Sequence, residues 1–472
     1  MVQGYLDGYF FTCPEVKGCE LHLYSYLNVS KTMAGMSRVF SSGEQDPSDL
    51  NADRISNLPW NVLDIILGKL SITEAVRTSV LAKDWRYSWL TMSKFSLSSE
   101  EIGEVLDFRD PRWDILSSIV SNFLLHHTTT SIMTFILQSF FCSHFSDLSN
   151  WIEFLSKKGV EVLELIEFGD QYLKMPTHLF SFEKLKVLVI ESFSLQIPSS
   201  FRSFKFLEEL SLNEVSISSG DLYRLILACP LLLNLTLVTI SGIQNLRIHS
   251  ARLTMLEVDT GFVGIDVEFA PCLSTVSIIN DYRSFTPQSV ILNWRSVTRS
   301  LSGLISLQSL ALSEIIFKLL VAECALKDFP LRNNTLAFLI LREVSFDKIE
   351  VFRVCLSLLK FCPKMKTFRI TVTSAKGPKL IKSFLKENPG QYSFLELETL
   401  NVIYPPGTGM GCSVKFIEFL VTHCPNLKLL SIETEGACEL NITRANKMLS
   451  QLRKLCPHAS VLYTFDDQEP NL

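Results

Sequence analysis

A six-residue pattern, Leu-x-x-Leu-x-Leu with other apolar residues allowed at the leucine positions, recurs along most of the 472-residue chain. Ten clear copies are carried by Leu185/Leu188/Ile190, Leu207/Leu210/Leu212, Leu232/Leu235/Leu237, Leu253/Leu256/Val258, Leu273/Val276/Ile278, Leu307/Leu310/Leu312, Leu336/Leu339/Leu341, Met365/Phe368/Ile370, Leu397/Leu400/Val402 and Leu427/Leu430/Ile432. Two fainter copies, Ile132/Phe135/Leu137 and Val160/Leu163/Leu165, precede them. Nine steps separate the first clear copy from the last, so the mean period is about 27 residues. A period of this length is typical of a stacked repeat.

Several intervals between the copies are predicted to be helices, and each of these helices ends in Cys-Pro. They cover residues 221–229, 348–362, 413–424 and 443–456. After Cys229, Cys362 and Cys424 the next strand pattern begins three residues later. Proline disfavours helical geometry in the residue before it, so the chain turns there and enters a strand at a fixed offset. We therefore predict an α/β leucine-rich-repeat solenoid with a curved parallel sheet over residues 98–395, continued by C-terminal repeats over 396–466.

Residues 51–97 have a different character, with three short helices predicted in about 40 residues. Pro59 suits a first helical position, and Leu63, Ile66, Leu67 and Leu70 then share one face. Ser71 followed by Glu74 has the form of a capping box and predicts a second helix over 75–81. A third helix carries Trp85 and Trp89. These are four residues apart and therefore on one side.

The remaining ends of the chain are predicted to lie outside these units. Residues 1–50 mix glycine, serine and tyrosine without a helical or strand period, which indicates a poorly ordered leader, and Met33 or Met36 could be the true start. Residues 467–472 are expected to form a short tail. A helical unit as small as 51–97 buries little apolar surface, so it is expected to pack on a partner or on the rest of the chain.

The segments DRISNLPWNVLDIIL and EAVRTSVLAKDWRYSW, together with the leucine pattern downstream, resemble the F-box of the plant F-box/FBD/leucine-rich-repeat class. The C-terminal repeats resemble, more loosely, its FBD region. The resemblance implies a substrate receptor of an SCF ubiquitin ligase, in which the F-box binds a Skp-type adaptor and through it a cullin. It implies that adaptor contacts are made by Leu58, Pro59, Ile66, Val80, Leu81 and Trp85. Ala82 and Asp84 depart from the family pattern, which usually has a small polar and a basic residue there. The alternative is a leucine-repeat scaffold outside any ligase, in which the helical segment only caps the solenoid.

Composition narrows the other possibilities. The net charge of -5 provides no positive electrostatic field to attract a phosphate backbone or an anionic membrane, so neither nucleic acid nor a membrane is an expected partner. The 12 cysteines form no CxxC pair, and the N-terminus has no secretory signal pattern, so reduced thiols in cytoplasm or nucleus are expected.

Enzymatic chemistry is not indicated, and neither a cofactor nor a metal is expected. The glycines at 407, 409 and 411 come close to a dinucleotide fingerprint, but the third glycine of that motif would have to stand at Cys412. His126 and His127 are interpreted as exposed residues at a helix end, without metal-ligand partners. The cysteines of the Cys-Pro turns are interpreted as small buried packing residues.

The target protein is expected to bind the residues that alternate with the strand leucines, because these project from the opposite face of the sheet. Early strands place acidic residues there, including Glu209, Glu257 and Asp259, whereas basic residues follow in later strands. The predicted target-binding residues are Phe338, Ile340, Arg342 and Arg369, since aromatic and aliphatic side chains beside arginine are enriched in interface cores.

Overall fold

The computed structural model describes residues 58–81, 85–98, 113–129, 131–140, 145–167, 172–261, 264–279, 303–313, 333–346, 348–374, 393–405, 413–435 and 442–466. The predicted leader, the predicted tail and the glycine loop at 407–411 lie outside these residues. The chain divides into two compact units, the first formed by residues 1–92 and 97–128 and the second by residues 93–96 and 129–472. No helix in the described part of the chain is long and apolar enough to cross a membrane.

The first unit is helical. Helix α1 spans Trp60–Leu67, helix α2 spans Ile72–Arg77 and continues into a 3-10 turn at Thr78–Val80, a second 3-10 turn covers Ser88–Thr91, and helix α3 spans Trp113–His126. The capping box predicted at Ser71 is present: Glu74 N donates to Ser71 Oγ at 3.2 Å, and Ser71 N donates to Glu74 Oε2 at 3.0 Å. The unit has a small apolar core of Leu67, Ile72, Ala75, Trp85, Leu90, Met92, Ile119, Val120, Phe123 and Leu124.

The second unit is built on one sheet, in which fourteen strands of the described residues follow one another in chain order. They are β1 (Lys94–Ser98), β2 (Thr134–Phe140), β3 (Val162–Glu167), β5 (Val187–Glu191), β7 (Glu209–Asn213), β8 (Asn234–Val238), β10 (Met255–Asp259), β12 (Thr275–Ile278), β13 (Ser309–Leu312), β14 (Phe338–Ser345), β15 (Thr367–Ser374), β16 (Thr399–Tyr404), β17 (Leu429–Glu435) and β18 (Ser460–Asp466). Every pairing from β2 to β18 is parallel. This arrangement is the predicted leucine-rich-repeat solenoid of the α/β class.

Strand register explains why the leucine pattern works. The second and fourth residues of successive strands lie side by side, as in the row Leu210, Leu235 and Leu256, and these side chains are buried. The first, third and fifth residues point to the other side, which we call the open face. Helices α4 (Phe145–Ser156), α5 (Ser219–Leu227), α6 (Ile349–Phe361), α7 (Ser413–His423) and α8 (Ile442–Leu455) lie between strands in the sequence.

The Cys-Pro turns form as predicted and account for the constant offset. Each cysteine directly follows the helix or lies one residue beyond it, and its carbonyl oxygen accepts a hydrogen bond from the backbone N–H three residues later. These N–H groups belong to Leu232 (3.2 Å), Met365 (3.1 Å) and Leu427 (3.2 Å), which open the next strand pattern. The turn therefore sets where the first leucine position of the next repeat falls.

Two features of the second unit were not predicted. Two further strand pairs form outside the main sheet, β4 (Leu173–Lys174) with β6 (Phe193–Ser194), and β9 (Asn245–His249) with β11 (Gly264–Phe269). In addition, four residues with side chains adopt left-handed backbone geometry, each as the sixth residue from its strand start. They are Ser192 (φ 67°), Glu214 (φ 46°), Thr239 (φ 50°) and Glu343 (φ 57°). The chain bends at Ser192, Glu214 and Thr239, whereas Glu343 lies at an irregularity in the register of β14, and none of the four positions carries the glycine that usually signals such geometry.

Candidate functional site

The first unit exposes large aliphatic side chains that a folded chain normally buries. Ile65 and Val80 are each 63% exposed and Leu81 is 72% exposed, while Ile66 and Trp60 are about two-fifths exposed. Pro59 is exposed and Leu58 half-buried. We call Leu58, Pro59, Ile66, Val80 and Leu81 the anchor patch. All five are among the residues for which the resemblance to the F-box implies adaptor contacts.

Local backbone geometry places both parts of the anchor patch next to helix ends. The carbonyl oxygen of Pro59 accepts hydrogen bonds from Val62 N at 2.9 Å and Leu63 N at 3.1 Å, so the Leu58-Pro59 pair immediately precedes α1. At the end of α2 the chain tightens into the 3-10 turn, in which Leu81 N donates to Thr78 O at 3.0 Å. Val80 is the last residue of that turn and Leu81 directly follows it, and both side chains are exposed.

Trp85 differs from the anchor patch, because it is only 6% exposed and belongs to the core of the first unit. The resemblance implies that Trp85 contacts the adaptor, whereas in the structure of the chain alone its ring is buried. A buried ring suits a residue that stabilises the first unit. Ala82 and Asp84, the two departures from the family pattern, lie outside the described residues.

The predicted target-binding residues lie close together on the open face. Phe338, Ile340 and Arg342 are the first, third and fifth residues of β14, and Ile340 pairs in register with Arg369 of β15. Phe338 is 46% exposed, and Ile340 and Arg342 are half-buried. A guanidinium nitrogen of Arg369 lies 3.7 Å from Glu433 Oε2, two strands further along the sheet. The two strands thus present an aromatic ring, an aliphatic side chain and two guanidinium groups on one surface.

Known protein families match both units. The F-box domain family model matches residues 55–97, and a model described as "FBD-associated F-box protein At5g56370, LRR repeats" matches residues 148–370. The F-box/FBD/LRR-repeat protein At1g13570 of Arabidopsis thaliana is 24% identical over 426 residues, which cover 88% of this chain and 99% of that protein. The chain therefore carries an F-box and FBD-associated leucine-rich repeats, and it is similar to plant F-box/FBD/LRR-repeat proteins.

Other Arabidopsis thaliana relatives match parts of this F-box/FBD/LRR chain. F-box/LRR-repeat protein 25 is 29% identical over 213 residues, covering 44% of the chain and 77% of that protein. The putative FBD-associated F-box protein At5g56440 is 28% identical over 254 residues, covering 50% of the chain and 55% of that protein. The family match agrees with the sequence interpretation of the two segments that resemble an F-box.

One expectation about the first unit of this F-box/FBD/LRR chain is wrong. His127 is buried, and its Nε2 donates a hydrogen bond to Met92 O at 3.1 Å, while its ring lies 5.2 Å from that of Phe123. The histidine closes the end of α3 against the core because imidazole can pack as a ring and still hydrogen-bond a buried carbonyl. The sequence showed two adjacent histidines but nothing to distinguish His127 from its half-buried neighbour His126.

The cysteines of the Cys-Pro turns in this F-box/FBD/LRR chain are buried packing residues, as predicted. Burial raises the pKa of Cys229 and Cys424 to about 12 and that of Cys362 to about 11. It also raises the pKa of Cys456. A thiol with a raised pKa stays protonated at neutral pH and is a poor nucleophile. Within the described ranges, no three histidine, cysteine, aspartate or glutamate side chains are grouped so that they could hold a metal ion.

Proposed function

We propose that the protein is the substrate-recognition subunit of an SCF-type ubiquitin ligase. In this role the anchor patch binds a Skp-type adaptor, the adaptor connects the chain to a cullin, and the open face of the sheet holds a target protein. The single observation that carries the proposal is the exposure of Val80 and Leu81 in a segment that matches the F-box family.

The exposed aliphatic residues favour an interface over a cap. Large aliphatic side chains are usually buried within a folded unit, whereas Ile65, Val80 and Leu81 are more than half exposed. Exposed apolar side chains that adjoin one another, as those of Val80 and Leu81 do, are typical of a surface that a second protein covers.

The proposed work of the chain is to hold two proteins near each other. A target on the open face and an adaptor on the anchor patch would be joined by one polypeptide, which raises the effective concentration of the target near the enzyme that transfers ubiquitin. The chemistry of transfer belongs to other subunits in this scheme. The expected location is the cytoplasm, the nucleus or both.

The target surface is proposed to include Phe338, Ile340, Arg342 and Arg369. Their arrangement on β14 and β15 combines an exposed aromatic ring with guanidinium groups, the residue types that most often dominate binding energy. None of the four is fully buried in the described structure, so all can contribute to a contact.

The proposal is tested by titrating the full chain with a recombinant plant Skp-type adaptor and measuring the dissociation constant. The wild type is compared with Leu81→Asp and with the pair Leu58→Ala/Pro59→Ala. A charge at the centre of an apolar interface should weaken adaptor binding at least about tenfold. The matched control is Ile305→Asp, because Ile305 in the second unit is 77% exposed, much like Leu81.

Three results are informative. Loss of affinity in Leu81→Asp with full affinity in Ile305→Asp supports the ligase role. Equal affinity of the wild type and both anchor variants would show that the adaptor binds elsewhere. Failure of the wild type to bind any plant Skp-type adaptor would favour the alternative, a leucine-repeat scaffold outside the ligase.

A further inference from the structure

The open face of the first complete repeats has a one-sided charge. Strands β3, β5, β7, β8 and β10 place five acidic residues at their first, third and fifth positions, and no lysine or arginine. The acidic residues are Glu164, Glu191, Glu209, Glu257 and Asp259. Apolar side chains lie between them, including Val187, which pairs in register with Glu209, and Val189, which pairs with Glu164. We call this part of the open face the acidic surface.

Four carboxylates of the acidic surface, those of Glu164, Glu191, Glu209 and Glu257, are accessible, and the first, third and fifth positions of these strands hold no lysine or arginine to neutralise them. Glu209 is exposed, and Glu164, Glu191 and Glu257 are half-buried. The contacts of the described residues give Glu164 only the neutral amide of Gln138, at 3.1 Å. Glu191 is hydrogen-bonded to Asn213, and its pKa is raised by burial and by the nearby Glu214 carboxylate. By contrast, nearby carboxylates at the strand entries are paired, as Glu161 is with Lys186 at 2.6 Å.

The acidic surface also carries apolar side chains. Met255 is about one-third exposed, and Val187 and Val189 are half-buried. Neighbouring strands are about 4.8 Å apart, so these five strands present a surface roughly 20 Å wide. Alternating carboxylates and aliphatic groups over this width complement an extended chain that alternates basic and apolar side chains.

We propose that the acidic surface binds a lysine- or arginine-rich segment of the target protein, with apolar residues interspersed among the basic ones. The inference rests on the proposed target-binding role of the open face and adds the chemical class of the target. The basic segment would lie over β3 to β10, separate from Phe338 and Arg369 on the later strands.

The test uses the full chain without adaptor and a capped synthetic peptide of about eight residues that alternates lysine with valine, a length that spans the surface. A matching peptide with glutamate in place of lysine serves as the probe of opposite charge. Binding is measured by fluorescence anisotropy at low and moderate salt. The tested variant is Glu209→Gln/Glu257→Gln. The control is Glu183→Gln/Glu396→Gln, which changes the net charge equally at exposed positions outside the acidic surface.

We expect the lysine peptide to bind the wild type, to lose at least about fivefold in affinity in the Glu209/Glu257 variant, and to bind the control normally. Binding should weaken as salt rises, and the glutamate peptide should not bind. Equal losses in both variants would show a nonspecific response to net charge and overturn the proposal, as would an absence of binding to the wild type.

Analytical sedimentation of the free chain tests whether a second copy of the chain occupies the acidic surface. A dimer that dissociates in the Glu209/Glu257 variant would mean that a second copy of the chain occupies the acidic surface, which also overturns the proposal. Adaptor affinity is measured on the same variants and should be unchanged. A failure of peptide binding with intact adaptor binding therefore refutes this inference alone, whereas lost adaptor binding in the wild type refutes the ligase role.

Discussion

The two units use the same aliphatic residue types in opposite ways. In the repeat sheet, Leu339, Leu341 and Leu400 have no exposed surface, whereas Val80 and Leu81 in the first unit are mostly exposed. Each repeat covers the apolar side of its neighbour, so every additional strand buries the leucines of the one before it. The described part of the first unit has two short helices, two 3-10 turns and α3, and such a small amount of packed structure leaves some of its apolar residues uncovered. The difference indicates that leucines of the sheet stabilise the fold, and that those of the first unit are available for a partner.

The largest effect is expected from shortening a leucine of the sheet. Leu400→Ala should lower the free energy of unfolding by about 2–5 kcal/mol, because it removes buried methyl groups and leaves a cavity. Urea denaturation followed by circular dichroism measures the change. Leu81→Ala is the matched substitution at an exposed leucine, and a comparable loss in that variant would contradict the assigned roles of the two units.

The parallel sheet could be predicted from the sequence because buried parallel strands require apolar residues at fixed positions. The leucine positions, the Cys-Pro turns and the Ser71 capping box each impose a fixed spacing of residue types, and the structure has all three. The anchor residues and target residues, by contrast, came from resemblance and composition. Their binding roles stay predictions because the structure is that of the chain alone.

What the sequence did not reveal depends on the three-dimensional surroundings. Thr239 and Glu214 adopt left-handed geometry that residue type alone argues against, since residues other than glycine rarely adopt positive φ and β-branched threonine does so least of all. Trp85 and the anchor patch belong to one short motif, and only packing separates the buried ring from its exposed neighbours. His127 likewise became buried through a carbonyl 35 residues earlier in the chain.

A second difference between the units concerns alkaline pH. The described part of the first unit has no cysteine, whereas the sheet buries thiols such as Cys229 and Cys424, whose pKa is raised to about 12. In the unfolded chain a thiol ionises near pH 8.5, so above that pH the unfolded state loses protons that the folded state keeps. The contribution of each buried thiol to the free energy of unfolding is therefore fully present below about pH 8.5 and decreases as pH rises toward 12. Near pH 10 the free energy of unfolding is lower by about 2 kcal/mol for each such thiol.

Cys424→Ala tests this pH dependence. The variant should be less stable than the wild type at neutral pH, yet it should lose about 2 kcal/mol less than the wild type between pH 8.5 and 10. Denaturation at several pH values measures both. Identical pH profiles for the two proteins would mean that the thiol of Cys424 does not resist ionisation in the folded sheet.

A smaller effect is expected at the helix caps. Ser71→Ala removes the cap of α2 and should reduce the local stability of that helix by about 1 kcal/mol. Hydrogen exchange of the α2 amides measures the loss, and adaptor affinity should fall modestly because α2 leads into Val80 and Leu81. Ser218→Ala is the control in the second unit, since Ser218 Oγ accepts from Asp221 N at 3.1 Å and caps α5. Ser218→Ala should affect hydrogen exchange in α5 to a similar extent and leave adaptor affinity unchanged. A lower adaptor affinity in both variants would show that the two caps act through global stability.

The smallest effect on stability is expected where the exposed residues themselves are changed. Val80→Ser/Leu81→Ser should alter the free energy of unfolding by less than about 0.5 kcal/mol, because side chains already in water lose little when they become polar. The same change should reduce binding of a hydrophobic dye to the free chain and abolish most adaptor binding. A loss of stability comparable to that of Leu400→Ala would mean that Val80 and Leu81 pack against the protein's own residues in solution. The exposed aliphatic residues would then have the same role as the leucines of the sheet, and the contrast between the two units would disappear.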